Sequence, residues 1–463
     1  MPMHPARNEE YASPFTARYA SAEMSRLFSA QFKISTYRKL WTSLAKAQKK
    51  LGLPITHQQV AELEDNVNRI DFVAANNYEK RFRHDVMAHI HAYGDQCPEA
   101  KPIIHLGATS SFVTDNTDLI QLKEALQLLF NKMIHVMRLL AKFAESEAAS
   151  PCLSYTHYQP AQPTTTGKRA CLWLQDFLID AQDWHRHIST LPFLGAKGAT
   201  GTQASFLSLF DGDALKVKEL ENLLAHDFGF ARVLPVVGQT YSRKIDLNVL
   251  NSLESFAASA HKMATDIRLL AHDGEITESS TDTQVGSSAM PYKRNPIYSE
   301  RICGLARFVM SLSQNTAYTT ATQWLERSLD DSSNRRLSIP ESFLGADAIL
   351  NLLAHLISNL SVNRALAIER LETQIPNLAM ETILMQAVKK GGDRQAIHEK
   401  MRKLSGKPIG EIVKELHLDP KEFEAHLLVG RAPDQVREFL KNDVQPFLSQ
   451  YKNITAMIAP VEI

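Results

Sequence analysis

Apolar residues recur at helical spacing along most of this chain. Between residues 24 and 51 the set is Leu27, Phe28, Phe32, Leu40, Trp41, Leu44 and Ala45. Gly52 and Pro54 then interrupt it, and Thr56 starts a second helix carrying Val60 and Leu63. Residues 1 to 20 read as irregular, because Pro2, Pro5 and Pro14 discourage helix. A far longer pattern runs to about Glu147, with Leu119, Leu122, Leu126, Leu129, Met133, Val136, Met137, Leu140 and Phe143 on its apolar face. Roughly thirty residues at 1.5 Å each make a rod about 45 Å long. Further long patterns cover 168–190, 244–272, 297–324 and 334–360, the last expected to bend at Pro340. No segment of this middle region shows the period-two alternation of a strand. About five such helices with wide apolar faces predict a bundle whose exposed stripes need covering, and other subunits are the obvious cover. Beyond Val362 the helices shorten, and Gly391-Gly392 and Gly430-Arg431-Ala432-Pro433 mark breaks. The reading is an all-α chain of three helical domains: 1–109, a central long-helix bundle at 110–362, and 363–463.

Polar stretches separate the long helices, and these hold the candidate chemistry. The largest ends in Gly286 to Pro296, reading Gly-Ser-Ser-Ala-Met-Pro-Tyr-Lys-Arg-Asn-Pro. A loop of roughly twenty residues between packed elements is more often functional or disordered than passive. Its small residues let backbone N–H groups approach a ligand, and the neighbouring Lys293 and Arg294 can hold an anion. Residues 103–116 form a hydroxyl-rich turn; Thr117 and Asp118 read as helix caps, with Gln121 reaching back, which leaves Thr109, Ser110 and Ser111 unexplained. Residues 151–166 are polar and broken by proline, and place His157 in a loop between long helices, where acids and bases are often positioned. Arg83, His84, Asp85, His89 and His91 crowd one segment. Spacings of five and two do not put three histidines on one helical face, so no metal site is expected there. Gly195, Gly198 and Gly201 match neither a P-loop nor a dinucleotide fingerprint.

Composition narrows the classes. The 463 residues exceed one simple core, and 44% hydrophobic with 22% charged residues is ordinary globular usage. Fifty-one basic and fifty-one acidic side chains cancel, which argues against an electrostatically driven partner such as nucleic acid or a membrane surface. No run of about eighteen apolar residues is present to span a membrane, and the first ten residues lack a signal-peptide core. Cys97, Cys152, Cys171 and Cys303 are far apart and read as reduced thiols of a cytoplasmic protein.

The Gly286–Pro296 run resembles the hallmark of the fumarase/aspartase superfamily, Gly-Ser-Ser-x-Met-Pro-x-Lys-x-Asn-Pro, with every fixed position present. Ala289 and Lys293-Arg294-Asn295 resemble the branch of that superfamily acting on succinylated purine nucleotides. So do Ala17-Arg18-Tyr19-Ala20, Arg83 to His89, Leu106 to Ser110, Thr156 to Pro160, Gly238 to Tyr241 and Leu329 to Arg336, so the likeness covers nearly the whole chain. It is weakest from about 405 to 428, where the C-terminal part is short.

The resemblance implies β-elimination of fumarate from a C–N bond, without metal or other cofactor. The implied substrates are adenylosuccinate, giving AMP, and the succinyl-aminoimidazole-carboxamide ribonucleotide. It implies Ser287 as base and His157 as acid, Lys293 as a cation at the reacting centre, Glu300 as the carboxylate orienting the histidine, and His84 as support for the acid. Substrate contacts carried over are Arg18, Tyr19, Arg83, His84, Asp85, Thr109, Ser110, Gln239, Lys293, Asn295, Arg301, Arg327, Ser332 and Arg336. It further implies a homotetramer whose sites are shared between subunits. The alternatives are another fumarate-releasing lyase of the superfamily, such as one acting on argininosuccinate, or a non-catalytic structural relative. A serine hydrolase is a poorer reading still, since there is no Gly-x-Ser-x-Gly elbow.

Overall fold

A computed structural model of the chain describes residues 11–278, 290, 293–404, 407–418 and 426–459. Its N-terminal arm is less irregular than the prolines imply: a single π-helical turn, Phe15–Tyr19, precedes α1 (Ala22–Leu27) and α2 (Ala30–Lys50). Ser21 and Ser29 cap these two helices, and Thr56 with Gln59 forms a reciprocal capping box for α3 (His57–Asn66). The histidine-rich segment falls across two helices, α4 (Phe72–Phe82) and α5 (Asp85–Gln96), turned at Arg83 with φ of 53°.

The central rods are α6 (Ser110–Ser146), α7 (Thr166–Thr190), α10 (Lys244–His272), α11 (Ile297–Ala321) and α12 (Asp330–Ser358), with α8 (Ala204–Leu209) and α9 (Ala214–Asp227) between the second and third. Their wide apolar faces are buried, from Leu119 to Leu140 on α6 and from Val249 to Leu270 on α10. By length and composition α12 could cross a membrane, but 83% of its most apolar stretch is buried inside the fold, as in a core helix. Pro340 lies within α12 without ending it.

The middle region shows no period-two pattern, yet among the described residues the structure has two small antiparallel pairs. β1 (Pro151–Thr156) pairs with β2 (Gln159–Thr165), and β3 (Ile276–Glu278) pairs with β4 (Leu360–Val362). The first pair is a ribbon with a polar, largely exposed second strand, so it needs no period-two apolar pattern. Helix α6 also begins earlier than the capping reading allowed. Asn116 and Thr117 lie buried inside it, and Asn116 bonds the backbone of Leu194 and Gly195.

Among the described residues six helices follow: α13 (Arg364–Leu378), α14 (Met380–Lys389), α15 (Arg394–Leu404), α16 (Ile409–Glu415), α17 (Ala432–Phe439) and α18 (Gln445–Ser449). One apolar core extends from Phe15 to Ile357 and takes in Val436, Leu440 and Val444, while residues 375–418 gather a separate cluster around Ile383 and Ile412.

The direction of the rods fixes what can meet what. Arg335 of α12 contacts Asp118 of α6 and Asp246 of α10, all near helix starts. Past the other ends, Arg364 pairs with Glu147, and Asn363 N–H donates to the Glu275 carbonyl. So α6, α10 and α12 run parallel. Trp173 and Trp184 of α7 reach Asp266 and Ser252 of α10 in reverse order, and α11 touches α10 through Cys303–Thr265 and α12 through Asn315–Asn334. Both therefore run the opposite way.

Candidate active site

At one end of the bundle the starts of α6, α10 and α12 enclose a cleft of about 490 Å³. Arg83, His84, Asp85, Ser110, Arg327, Ser332 and Arg336 line it. The turn at Arg83 delivers three of these: His84 is the N-cap of α5, its Nδ1 accepting from Met87 N–H at 3.4 Å. Arg336 reaches across to Asp85 at 3.8 Å. Arg327 binds Ser111 Oγ at 3.3 Å and Gln239 Oε1 at 3.4 Å, which brings Gln239 to the same edge; Thr109 is the N-cap residue of α6, next to Ser110. Gly238 is required for that approach, since a Cβ there would stand 2.5 Å from the Glu326 carbonyl. Of the clustered histidines only His84 lines the cleft. His91 stacks on Tyr78 and Phe82, and burial with help from Arg38 pushes the His89 imidazole down to about 4.

Beneath the cleft lies an ionic network that the sequence reading missed. Arg243 bridges Asp331 at 2.6 Å and Asp115 at 2.8 Å. Arg335 binds Asp246 at 2.7 Å, Asp118 at 2.9 Å and the Tyr241 hydroxyl. The Tyr241 ring lies under both guanidinium groups, 4.6 Å from Arg243 and 5.4 Å from Arg335. Burial alone would lower the Arg335 pKa, but Asp246, Tyr241 and Asp118 outweigh it and hold the value well above normal. Asp118 is moved up by desolvation, with Arg335 opposing. The available signal was the spacing within 330–336. Asp331 and Arg335, four apart, are buried and form the floor of the cleft, whereas Ser332 and Arg336, the next row round the helix, line it from less buried positions.

The remaining predicted residues lie elsewhere. His157 and Tyr158 form the two-residue turn of the β1–β2 hairpin, both with positive φ (52° and 57°) and both exposed. Such a turn usually takes Asn-Gly, so a His-Tyr pair there carries strain of the kind found at functional positions. Lys293 and Glu300 are exposed, and Asn295 is half-buried, at the start of α11. Arg301 sits one residue on, with Nη1 buried and unpartnered among the described residues. Ser287 lies outside the described residues. Because α6 and α10 begin at the cleft and end near the hairpin and β3, the two groups are separated by a full rod of 29 residues in α10. That length is about 43 Å at 1.5 Å per residue. Arg18 and Tyr19 belong to neither end. Phe15 packs on Phe308 midway along α11, and the Ser21 N–H donates to Asp347 of α12 at 2.6 Å, leaving Arg18 exposed at mid-rod.

Comparison with known proteins agrees with the architecture and the motifs. A lyase family model matches residues 18–311. The chain is 47% identical to the adenylosuccinate lyase of Schizosaccharomyces pombe, over 96% of this chain and 97% of that one. It is 45% identical to that of Saccharomyces cerevisiae, over 95% and 96% of the two chains. Among solved structures, the 3-carboxy-cis,cis-muconate lactonizing enzyme of Pseudomonas putida superposes with a TM-score of 0.80 at 22% identity, covering 96% of this chain and 99% of that one. A fumarate lyase from Mesorhizobium sp. BNC1 gives 0.77 at 22%, covering 94% and 100%; at that identity the likeness concerns the fold. The chain belongs to the lyase family of the fumarase/aspartase superfamily and, within it, to the adenylosuccinate lyases.

Proposed function

We propose that the protein is a carbon–nitrogen lyase that eliminates fumarate from adenylosuccinate to give AMP, and from the succinyl-aminoimidazole-carboxamide ribonucleotide. The observation that carries this is the near full-length identity of 44–47% to adenylosuccinate lyases. The reaction removes a proton from the carbon beside a carboxylate of the succinyl group, which loads charge onto that carboxylate, and then protonates the departing nitrogen. Preorganised donors and cations at the carboxylate are the main requirement. Ser287 takes the proton; Lys293, Asn295 and the backbone N–H groups of Ser287 and Ser288 hold the charge. Serine is a weak base at its free pKa, so its alkoxide needs Lys293 beside it. His157 gives the proton to nitrogen, with Glu300 orienting it and His84 in support. Arg18, Tyr19, Arg301, Arg327, Ser332 and Arg336 hold phosphate, ribose and carboxylate, for which the arginine fork is suited. Arg83, Asp85, Thr109, Ser110 and Gln239 complete the contacts.

The protein works as a cytoplasmic homotetramer, each site assembled from more than one subunit. Two observations support this reading: the two residue groups lie at opposite ends of one rod, and Tyr318, Trp324, Leu325, Leu329 and Leu337 are between 69% and 97% exposed near the cleft end. The separate apolar cluster at 375–418 supports treating the C-terminal part as its own domain, beside the domains proposed at 1–109 and 110–362.

Following absorbance as adenylosuccinate and argininosuccinate are added separately to purified protein tests the reaction; release of fumarate from argininosuccinate alone would overturn it. Mixing inactive His157→Ala and Ser287→Ala proteins tests the sharing. Activity should return on subunit exchange, and its absence despite proven exchange rejects shared sites.

A further inference from the structure

The hairpin carrying His157 has little to hold it in place by itself. A lone two-stranded ribbon is marginally stable in water, and this one also bears a turn with two non-glycine residues at positive φ. Its support comes from neighbouring helices, with Arg169 of α7 donating to the Leu153 carbonyl and α13 packing along β1. Leu371 and Leu378 of that helix pack on Leu153 and Tyr155 of β1. Beside them Arg370 makes three kinds of contact. Its Nη2 donates to the Tyr155 hydroxyl at 3.3 Å, two residues before His157 in the chain. Its Nη1 donates to the Asp273 carbonyl at 3.2 Å, and Nη2 stands 3.0 Å from Asp273 Oδ1. Its Nε lies 3.2 Å from Glu275 Oε1, an ion pair without the alignment of a hydrogen bond. The Tyr155 hydroxyl closes the ring by donating to Asp273 Oδ2 at 3.4 Å. Asp273 and Glu275 are the last residues before β3, the strand that leads into the segment containing Ser287.

We infer that Arg370 is a positioning residue, fixing the His157 hairpin and the entry to the Ser287 segment to one another through Tyr155, Asp273 and Glu275. The inference rests on the roles proposed for His157 and Ser287. Among the described residues Arg370 touches Tyr155, Asp273 and Glu275 and not His157, so it acts through the backbone that leads to each reacting group. Glu275 is nearly fully buried, and burial raises its pKa against the pull of Arg169 and Arg370, so the guanidinium is needed where it stands. Arg364, on the first turn of the same helix, makes an equally close pair with Glu147 but does not touch the hairpin, which supplies an internal control.

The test compares Arg370→Met, Arg370→Lys, Tyr155→Phe, the Arg370→Met/Tyr155→Phe double variant and Arg364→Met in fumarate release from adenylosuccinate. Displacing a reacting group by about 1 Å costs on the order of 100-fold, so Arg370→Met should lower kcat by roughly 10- to 100-fold with KM changed less than about twofold. Arg370→Lys should recover part of the loss, the double variant should be no worse than Arg370→Met, and Arg364→Met should keep wild-type kcat. Unchanged kcat in Arg370→Met, an equal loss in Arg364→Met, or additive losses in the double variant would overturn the inference. If Arg370→Met does not fold, Tyr155→Phe carries the test, because it keeps the ion pairs and removes only the hairpin link; wild-type kcat there rejects the idea. Hydrogen exchange across 151–165 reads the hairpin without turnover and should be faster in Arg370→Met. Should the wild type release no fumarate, the functional reading fails, while unaltered exchange in Arg370→Met removes the positioning role itself.

Discussion

At the cleft end, Asp115, Asp118, Asp246 and Asp331 are bound by Arg243 and Arg335 in a mostly buried network that ties the starts of three parallel rods together. At the other end, His157, Lys293 and Glu300 project exposed from a ribbon turn and a helix start, the ribbon backed by α13. The first arrangement stores stability in the same residues that set the shape of the cleft. The second keeps its reactive groups off the core, so they can be altered with little effect on folding. The contrast predicts that lesions at the cleft end register in stability, and lesions at the hairpin end register in turnover.

The largest expected effect tests the second half of that contrast. Ser287→Ala and His157→Ala should each lower kcat by about 10²- to 10⁴-fold, the usual contribution of a general base or acid. Their thermal midpoints should match the wild type; a large fall in either midpoint would erase the distinction between the ends. Next is Arg335→Met, which strands Asp246 and Asp118. Breaking a buried pair costs about 3–5 kcal/mol, to be read from urea unfolding. A loss below about 1 kcal/mol would mean the network is not the cleft's support.

A third test calibrates the network against a carboxylate with no arginine. Asp180, midway along α7, is buried and bonded by Ser255, with Oδ2 unpartnered. Burial pushes its carboxyl up to about 6. The folded state thus holds the proton more tightly than the unfolded chain, and stability should fall as pH rises from about 4 to about 6. Asp180→Asn removes that titration. It should be more stable than wild type at pH 7 by up to about 3 kcal/mol, with the gap closing below about pH 4. An equal gap at both pH values would reject the assignment. The smallest effect separates binding from support within the cleft itself. Arg336→Ala should raise KM about tenfold, or about 1.4 kcal/mol, with kcat and thermal midpoint little changed. The same KM effect is expected of Arg18→Ala, and unchanged constants in both would remove them from the substrate contacts.

The long rods were legible because wide apolar stripes on α6, α7, α10, α11 and α12 leave little choice of period. Their ends were less so. The start of α6 is misplaced by the sequence because Thr117 and Asp118 look like caps, and only the fold shows them inside a helix that begins at Ser110, with Asn116 spent on the Leu194–Gly195 backbone. The β1–β2 hairpin was invisible because Pro160, Pro163 and two glutamines occupy β2, and its turn is His-Tyr rather than Asn-Gly. At the site, the run at 330–336 was recognised as a motif, yet recognition did not say which row is buried. Asp331 and Arg335 emerged only when α6 and α10 were seen to bring Asp118 and Asp246 against them. The separation of His157 from the cleft could not be read from spacing, since it depends on which rods run parallel.

One further contact bears on the segment around Ser287. Glu278, the last residue of β3, accepts from the Tyr298 and Ser299 N–H groups, both at 2.9 Å, and from the Ser299 hydroxyl. It caps α11 from twenty residues upstream, where Pro296 offers no side-chain cap. The two ends of the intervening stretch are therefore joined at its base. For a ring of about twenty residues the entropy of closure, near (3/2)RT ln n, is about 2.7 kcal/mol. Folding has already met that cost before any nucleotide arrives, so substrate binding need not bring the strand and the helix start together. In polymer terms, Glu278 is a clasp between the strand end and the helix start that flank the proposed base, and Glu278→Gln, by weakening the clasp, would move that cost from folding to binding.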